Sequence, residues 1–362
     1  VIARGGAITD AAASVISVTG NAEFIAENGG TTYDIVLDSE THVFDADGAD
    51  AVGDGNTAPD RVAFLGADVT IIDSGDLYAQ DGVATGSLTL RSVGGGLTAD
   101  RIDATGATRL YASGGAAGSI TVTNLNGGDA YVGAFGGGAA GGDVSISNFT
   151  LDSLDVAGAT VVELTEGAAT AGLLVEAPEQ RFTAVTTNAF TDGAATNFNT
   201  VTGSTADLLV LERMRFNGDI AITAGEIRVG HIAAENASAL SLTATTGDIA
   251  KRADVDLDFT GASATSFAVE GARGAATATV ALTAFDDLLS VGGDATLDAA
   301  GDVVLVRAQN GATDAEVDFN GTVNVTATGV AALEDVSGIT LGDVDVTGDL
   351  AVRSNTDNSA GG

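Results

Sequence analysis

The chain has 362 residues, with 50 acidic side chains against 14 basic ones, a formal charge of -36, no cysteine and no tryptophan. That balance argues against a nucleic-acid binder or a ligand of anionic membranes, both of which need a basic patch, and the missing cysteines exclude disulfides, thiolate metal sites and thiol redox chemistry. The mean hydropathy of +0.27 is spread over Ala and Val; it is not gathered into the ~18 apolar residues of a membrane span.

The first predicted element is the segment Gly5-Gly-Ala-Ile-Thr-Asp10, a glycine turn followed by a short alternating run, continued through Val18-Thr-Gly-Asn-Ala-Glu-Phe24. Periodicity then fails over 30–65, which reads as an irregular or inserted stretch. It contains Asp45-Ala-Asp47-Gly48-Ala-Asp50-Ala-Val-Gly53-Asp54. Carboxylates at alternate positions, with a glycine for the sharp turn, suit a hard oxygen-seeking cation. Asp45, Asp47, Asp50 and Asp54 are therefore a candidate Ca²⁺ site, with an exposed acidic insertion as the other reading. The bidentate Glu that closes an EF-hand loop is missing.

From residue 65 onward one phrase returns: Gly, a small or acidic residue, then apolar, variable, apolar. It reads Gly86-Ser-Leu-Thr-Leu90, Gly118-Ser-Ile-Thr-Val122, Gly142-Asp-Val-Ser-Ile146, Gly218-Asp-Ile-Ala-Ile222, Gly225-Glu-Ile-Arg-Val229, Gly293-Asp-Ala-Thr-Leu297, Gly301-Asp-Val-Val-Leu305, Gly321-Thr-Val-Asn-Val325, Gly342-Asp-Val-Asp-Val346 and Gly348-Asp-Leu-Ala-Val352. In each, a glycine swings the chain round and two apolar side chains then point to one side. The stretch 165–215 breaks the pattern a second time. Gly167, Gly172 and Pro178 weaken any helix there, so strand with loops is expected.

The spacing of the phrases decides the architecture. Gly118 to Gly142, Gly225 to Gly247, Gly301 to Gly321 and Gly321 to Gly342 are 20 to 24 residues apart. That is the coil length of a parallel β-solenoid, in which each strand pairs with its equivalent one coil on. The expectation is an all-β chain, one continuous solenoid over 1–362 with coils of about 20–24 residues.

A longer unit also repeats: Ser74-Gly-Asp-Leu-Tyr through Leu90-Arg-Ser92 aligns in phrase order with Ser337-Gly-Ile-Thr-Leu through Val352-Arg-Ser354. Strings such as Gly-Gly-Ala-Ile-Thr-Asp (5–10), Val-Thr-Gly-Asn-Ala (18–22) and Leu-Gly-Asp-Val-Asp-Val-Thr-Gly-Asp-Leu (341–350) resemble the tandem repeats of bacterial filamentous-haemagglutinin-like surface proteins. The resemblance implies a right-handed parallel β-helix, export across the envelope, and a role in adhesion or in an extracellular fibre. It identifies no receptor-binding residue.

Other candidate sites carry a plainer reading. The Asp after Gly at Asp143, Asp219, Asp294, Asp302, Asp343 and Asp349 could line an acidic stripe, but turn chemistry explains it. His42 and His231 stand alone in the sequence, and Lys251-Arg252 is a lone basic pair, so no catalytic residues are assigned and no enzyme is expected. The surface carboxylates suit either a high-salt medium or Ca²⁺ collection; no cofactor is required, and Ca²⁺ is the one candidate. The chain opens at Val1 without a basic, apolar leader, so an export signal has been removed or lies outside it. The expected function is structural: an extracellular or cell-surface solenoid that forms a filament, fibre or adhesin stalk, its partner being itself. A carbohydrate- or cell-binding adhesin with contacts in 30–65 and 165–215 is the alternative, and a polysaccharide lyase or epimerase of the β-helix type the third.

Overall fold

Two-residue alternation in the sequence becomes alternation of burial. In Val62–Gly66, Val69–Asp73 and Leu88–Ser92 every second residue is buried, and the residues between are half-exposed. The computed structural model describes residues 1–44 and 61–114 (except 12 and 19), 118–135, 142–192 (except 176, 178, 188 and 189) and 208–216 (except 213). Between 216 and 321 it describes the strands, and it continues over 321–354 except 328, 336 and 337. The described residues contain strands and no helix. The strands stack in parallel as a β-solenoid, and the described residues fall into two compact units, 1–170 with 175–177 and 171–174 with 178–362.

In the first unit each coil contributes three short strands, and equivalent strands stack into three columns. One column runs through Ile8, Ile35, Val69, Leu88, Thr108, Ala130 and Leu154. A second runs through Leu77, Leu97, Ile120 and Val144, and a third through Gly82, Ile102, Leu125 and Phe149. The expected coil length holds in the middle of this unit, where Leu88 pairs with Thr108, Leu97 with Ile120 and Ile120 with Val144. It lengthens where Ile35 pairs with Val69, because the 45–60 stretch intervenes; that stretch lies outside the described residues. Ahead of it, Asn28-Gly29-Gly30 turns the chain back on itself, and Glu27 pairs antiparallel with Thr32. Gly29 and Gly30 sit at φ of 61° and 86°, which a side chain would strain.

The core is built from Val, Ile, Leu and Ala columns, and two of its aromatic rings, Phe64 and Phe149, lie against glycines. Phe64 pairs with Gly82, and a Cβ added at Gly82 would lie 2.2 Å from the Phe64 ring. Phe149 lies over Gly167 in the same way, at 2.2 Å.

The second unit carries its own columns. One runs through Leu209, Ile227, Ile249, Val280, Val303, Ala331 and Leu350. Another runs through Ile220, Leu240, Phe267, Ala295, Val323 and Leu341. The 22-residue spacing after Gly225 is a true coil, since Ile227 pairs with Ile249. The 20-residue spacing from Gly301 to Gly321 is not. Val303 pairs with Ala331 while Ala295 pairs with Val323, so the phrases after those two glycines lie on different faces and the coil there is 28 residues long. The phrase marks a corner, and a coil has more than one.

Candidate functional site

The candidate cation residues Asp45, Asp47, Asp50 and Asp54 lie outside the described residues, as do His231 and the irregular segment 193–207. Of the Asp-after-Gly residues, Asp143 and Asp343 donate their backbone amides to polar side chains of the coil before, and acidic side chains at other corners act as the acceptors. At the corners the side chain of one coil accepts the backbone N–H of the next: Asp34 Oδ1 takes the Asp68 amide at 3.2 Å, Asp68 Oδ1 the Ser87 amide at 2.7 Å, and Asp76 Oδ1 the Gly96 amide at 2.6 Å. Later coils do the same with neutral acceptors, Ser119 Oγ for Asp143 and Asn324 Oδ1 for Asp343. The corner polar residue thus clips successive coils together, where the sequence suggested a bond within one turn. A neighbouring corner runs as an amide ladder in which Asn124 Nδ2 donates to the Asp100 carbonyl and Asn148 Nδ2 to that of Thr123. Asn148 itself sits at φ 50°, a left-handed position that Asn tolerates.

His42 is not isolated, contrary to the sequence expectation. It is fully buried, and its Nε2 lies 2.9 Å from Asp10 Oδ2. Nδ1 accepts the Ile16 amide at 3.0 Å, which requires Nδ1 to be unprotonated and makes Nε2 the donor to Asp10. Ser14 Oγ adds a bond to Asp10 at 3.3 Å. Both ring nitrogens are committed, so His42 holds a corner and has no lone pair left to act as a base. Burial works to raise the Asp10 pKa, but the bonds from His42 and the backbone outweigh it and hold the carboxyl below its ordinary value. A depressed acid stabilises the fold above its ordinary pKa of 3.8, and that contribution is lost as pH falls through the folded value. His42→Ala should cost roughly 2–4 kcal/mol at neutral pH by stranding Asp10 and the Ile16 amide. In urea titrations the gap between wild type and variant should narrow at pH 3; a gap that does not change with pH would show that the pair does not govern acid stability.

Beside this corner, Asp73 is a buried carboxylate at 1% exposure. Its Oδ2 accepts the Phe44 amide at 2.7 Å and its Oδ1 the Gly75 amide at 2.6 Å. Burial raises its pKa, against the pull of those same two amides. Asp335 repeats the arrangement in the second unit. It is fully buried, and its Oδ2 takes the Phe319 amide at 2.8 Å while its Oδ1 takes the Gly338 amide at 2.5 Å. Asp73 pairs with Ser92, and Asp335 with Ser354. The longer repeat seen in the sequence is therefore a repeated piece of structure, with a carboxylate stitching a phenylalanine amide of the coil before to a glycine turn after it.

Two surfaces remain. On the outward face, the rings of Tyr111 and Tyr131 meet at a tilt of 46° with centroids 5.6 Å apart. Phe135, 41% exposed, lies back over Gly133 and Gly158, where added Cβ atoms would come within 2.3 and 2.7 Å of its ring. Arg109, exposed and in no ion pair with a described residue, pairs in the ladder with Tyr131. No sequence signal marked this group, since its members are spaced by coil length and three-dimensional neighbours only. The second is a set of exposed apolar side chains. The exposed large apolar side chains among the described residues are Val1, Ile2, Val15, Phe135, Val330, Leu341, Val344 and Leu350. All but Phe135 and Val330 lie within 1–15 and 341–350. Among the described residues no helix is long and apolar enough to cross a membrane. The chain matches no protein-family model, no curated protein and no solved structure.

Proposed function

We propose that the chain is a structural module of an extracellular surface fibre or adhesin stalk, which works by extending a solenoid end to end with copies of itself. The observation that carries this reading is the in-register parallel ladder of small and aliphatic residues that stacks coil on coil in each unit. Parallel ladders resist bending and stretching through many coupled backbone bonds, and an unpaired coil edge presents donors and acceptors to the next coil. The charge of -36 opposes stacking through like-charge repulsion, so assembly should need salt or a divalent cation such as Ca²⁺. Electron microscopy of the purified chain at low and high salt, with and without Ca²⁺, tests it. Filaments of uniform width that lengthen with ionic strength are expected; particles that stay single at high concentration in every condition would reject it.

The outward Tyr111, Tyr131, Phe135 and Arg109 group supports a second reading, a glycan-binding adhesin. Aromatic faces stack on sugar rings, and a guanidinium donates to hydroxyls or acidic groups. On this reading the contacts include a regular face in addition to the stretches 30–65 and 165–215. Tyr131→Ala should lower retention on immobilised polysaccharide at least tenfold with the fold unchanged; equal retention of wild type and variant would remove this reading.

A further inference from the structure

We propose that Tyr111 and Tyr131 are a modification site: under one-electron oxidation they join as a dityrosine, a covalent staple between two adjacent coils of a chain that has no disulfide. The proposal rests on neither the fibre nor the adhesin reading and needs only the register of the first unit.

The composition prepares the site. Cysteine and tryptophan are absent, and the chain has one methionine and four tyrosines. No thiol or indole therefore competes for an oxidising equivalent, which comes to rest on tyrosine.

Coil length then selects the pair. Arg109 and Tyr111 project outward from the strand Thr108–Ala112, and Tyr131 and Gly133 come level with them on Ala130–Ala134. Tyr111 and Tyr131 are diagonal neighbours across one parallel ladder, a separation that aromatic side chains span. Gly133 lets the rings meet. The place level with Tyr111 holds no side chain, and a Cβ added there would lie 3.2 Å from Cε1 of Tyr131 and 2.3 Å from the Phe135 ring. Tyr131 thus leans toward Tyr111 over the glycine, with Phe135 behind it, and the two tyrosine rings sit 5.6 Å apart at 46°. Cε1 is a carbon ortho to the hydroxyl, the position at which phenoxyl radicals couple. Both rings are half-exposed, within reach of a small oxidant. Coupling requires them to close by about 1 Å, the amplitude of ordinary side-chain motion. Tyr33 and Tyr78 sit elsewhere: the Tyr33 amide is bonded to the Ala26 carbonyl, and Tyr78 is level with Thr98 in another column.

The chemistry balances with a one-electron oxidant, such as the oxidised haem of a peroxidase turning over hydrogen peroxide. Each phenol gives up one electron and one proton. The two phenoxyl radicals pair through ortho carbons, forming one carbon–carbon bond, and the hydrogens on those carbons shift to the oxygens as both rings become phenols again. Two electrons and two protons leave the protein and reduce one hydrogen peroxide to two waters. The bond closes a loop of one coil, 20 residues from Tyr111 to Tyr131, and constrains the unfolded chain as a disulfide of that span would.

The test oxidises the full chain with peroxidase and hydrogen peroxide and, in parallel, with a ruthenium tris-bipyridine photo-oxidant and persulfate, which is small enough to reach half-exposed rings. Dityrosine fluorescence is expected in material that remains monomeric on denaturing gels. Mass spectrometry should find a cross-linked peptide pair, carrying Tyr111 and Tyr131, that is two hydrogens lighter than its parts. Tyr111→Phe and Tyr131→Phe keep the ring packing and should each lower the dityrosine of the monomer at least tenfold, whereas Tyr33→Phe/Tyr78→Phe should leave it unchanged. Monomer dityrosine that survives Tyr111→Phe would overturn the proposal. So would tyrosines that stay intact under both oxidants, or that are consumed without giving the Tyr111–Tyr131 pair.

Discussion

Asp73→Ala is expected to destabilise the first unit by roughly 2–4 kcal/mol at neutral pH, because it removes the acceptor of two backbone amides at once. The Phe44 amide is fully buried and finds no water in exchange, whereas the Gly75 amide is partly exposed and recovers some solvation. Asp73→Asn should fall between, since its amide keeps one acceptor oxygen but turns an NH₂ toward one of the donors. The pH dependence separates charge from hydrogen bonding. Burial raises the Asp73 pKa, so the folded state holds this proton more tightly than the unfolded chain. The ionised carboxylate therefore costs stability above the folded pKa, and that cost disappears as pH falls below the ordinary value of 3.8. Its sign is opposite to that of Asp10. Amide exchange at Phe44, followed by NMR or mass spectrometry, reads the effect locally: faster exchange in Asp73→Ala is expected, and an unchanged rate would mean the carboxylate does not hold that amide. Asp335→Ala should do the same at Phe319 in the second unit.

Gly82→Val is expected to cost about 3 kcal/mol or more, among the largest effects available to a single glycine here. Gly82 has no left-handed backbone angle to defend; what it lacks is room, because Phe64 fills the place of its side chain and is itself 2% exposed. A buried ring between coils cannot step aside without moving the strands, which is the costly form of overpacking. Phe64→Ala alone should cost roughly 3–5 kcal/mol by leaving a cavity. The double variant Phe64→Ala/Gly82→Leu exchanges large and small across the pair and should recover a good part of both losses, a coupling of about 1–3 kcal/mol. Strict additivity in urea unfolding would refute the idea that the two positions share one volume.

The contrast between these sites explains how much could be read from the chain itself. The strands were legible because burial on one side of a ladder forces period two, as in Val62–Gly66 and Leu88–Ser92. The corners were legible because close coil-to-coil approach there leaves no room for a side chain, as at Gly348. Coil length was legible where corners of one kind follow each other, as from Gly118 to Gly142, and misleading where they alternate, as from Gly301 to Gly321. The pairing of His42 with Asp10 was not legible, because the partners are 32 residues apart and a solenoid joins residues by coil length rather than by motif.

The sequence by itself determined the fold class, the direction of its ladders and the existence of a longer repeat, since each follows from local periodicity and from the backbone that glycine permits. Only the tertiary structure decided which polar groups are buried and satisfied, where aromatic rings meet glycines, and which apolar side chains stay exposed. Those depend on the register between coils, and register is a sum over many weak columns that no single stretch of sequence displays.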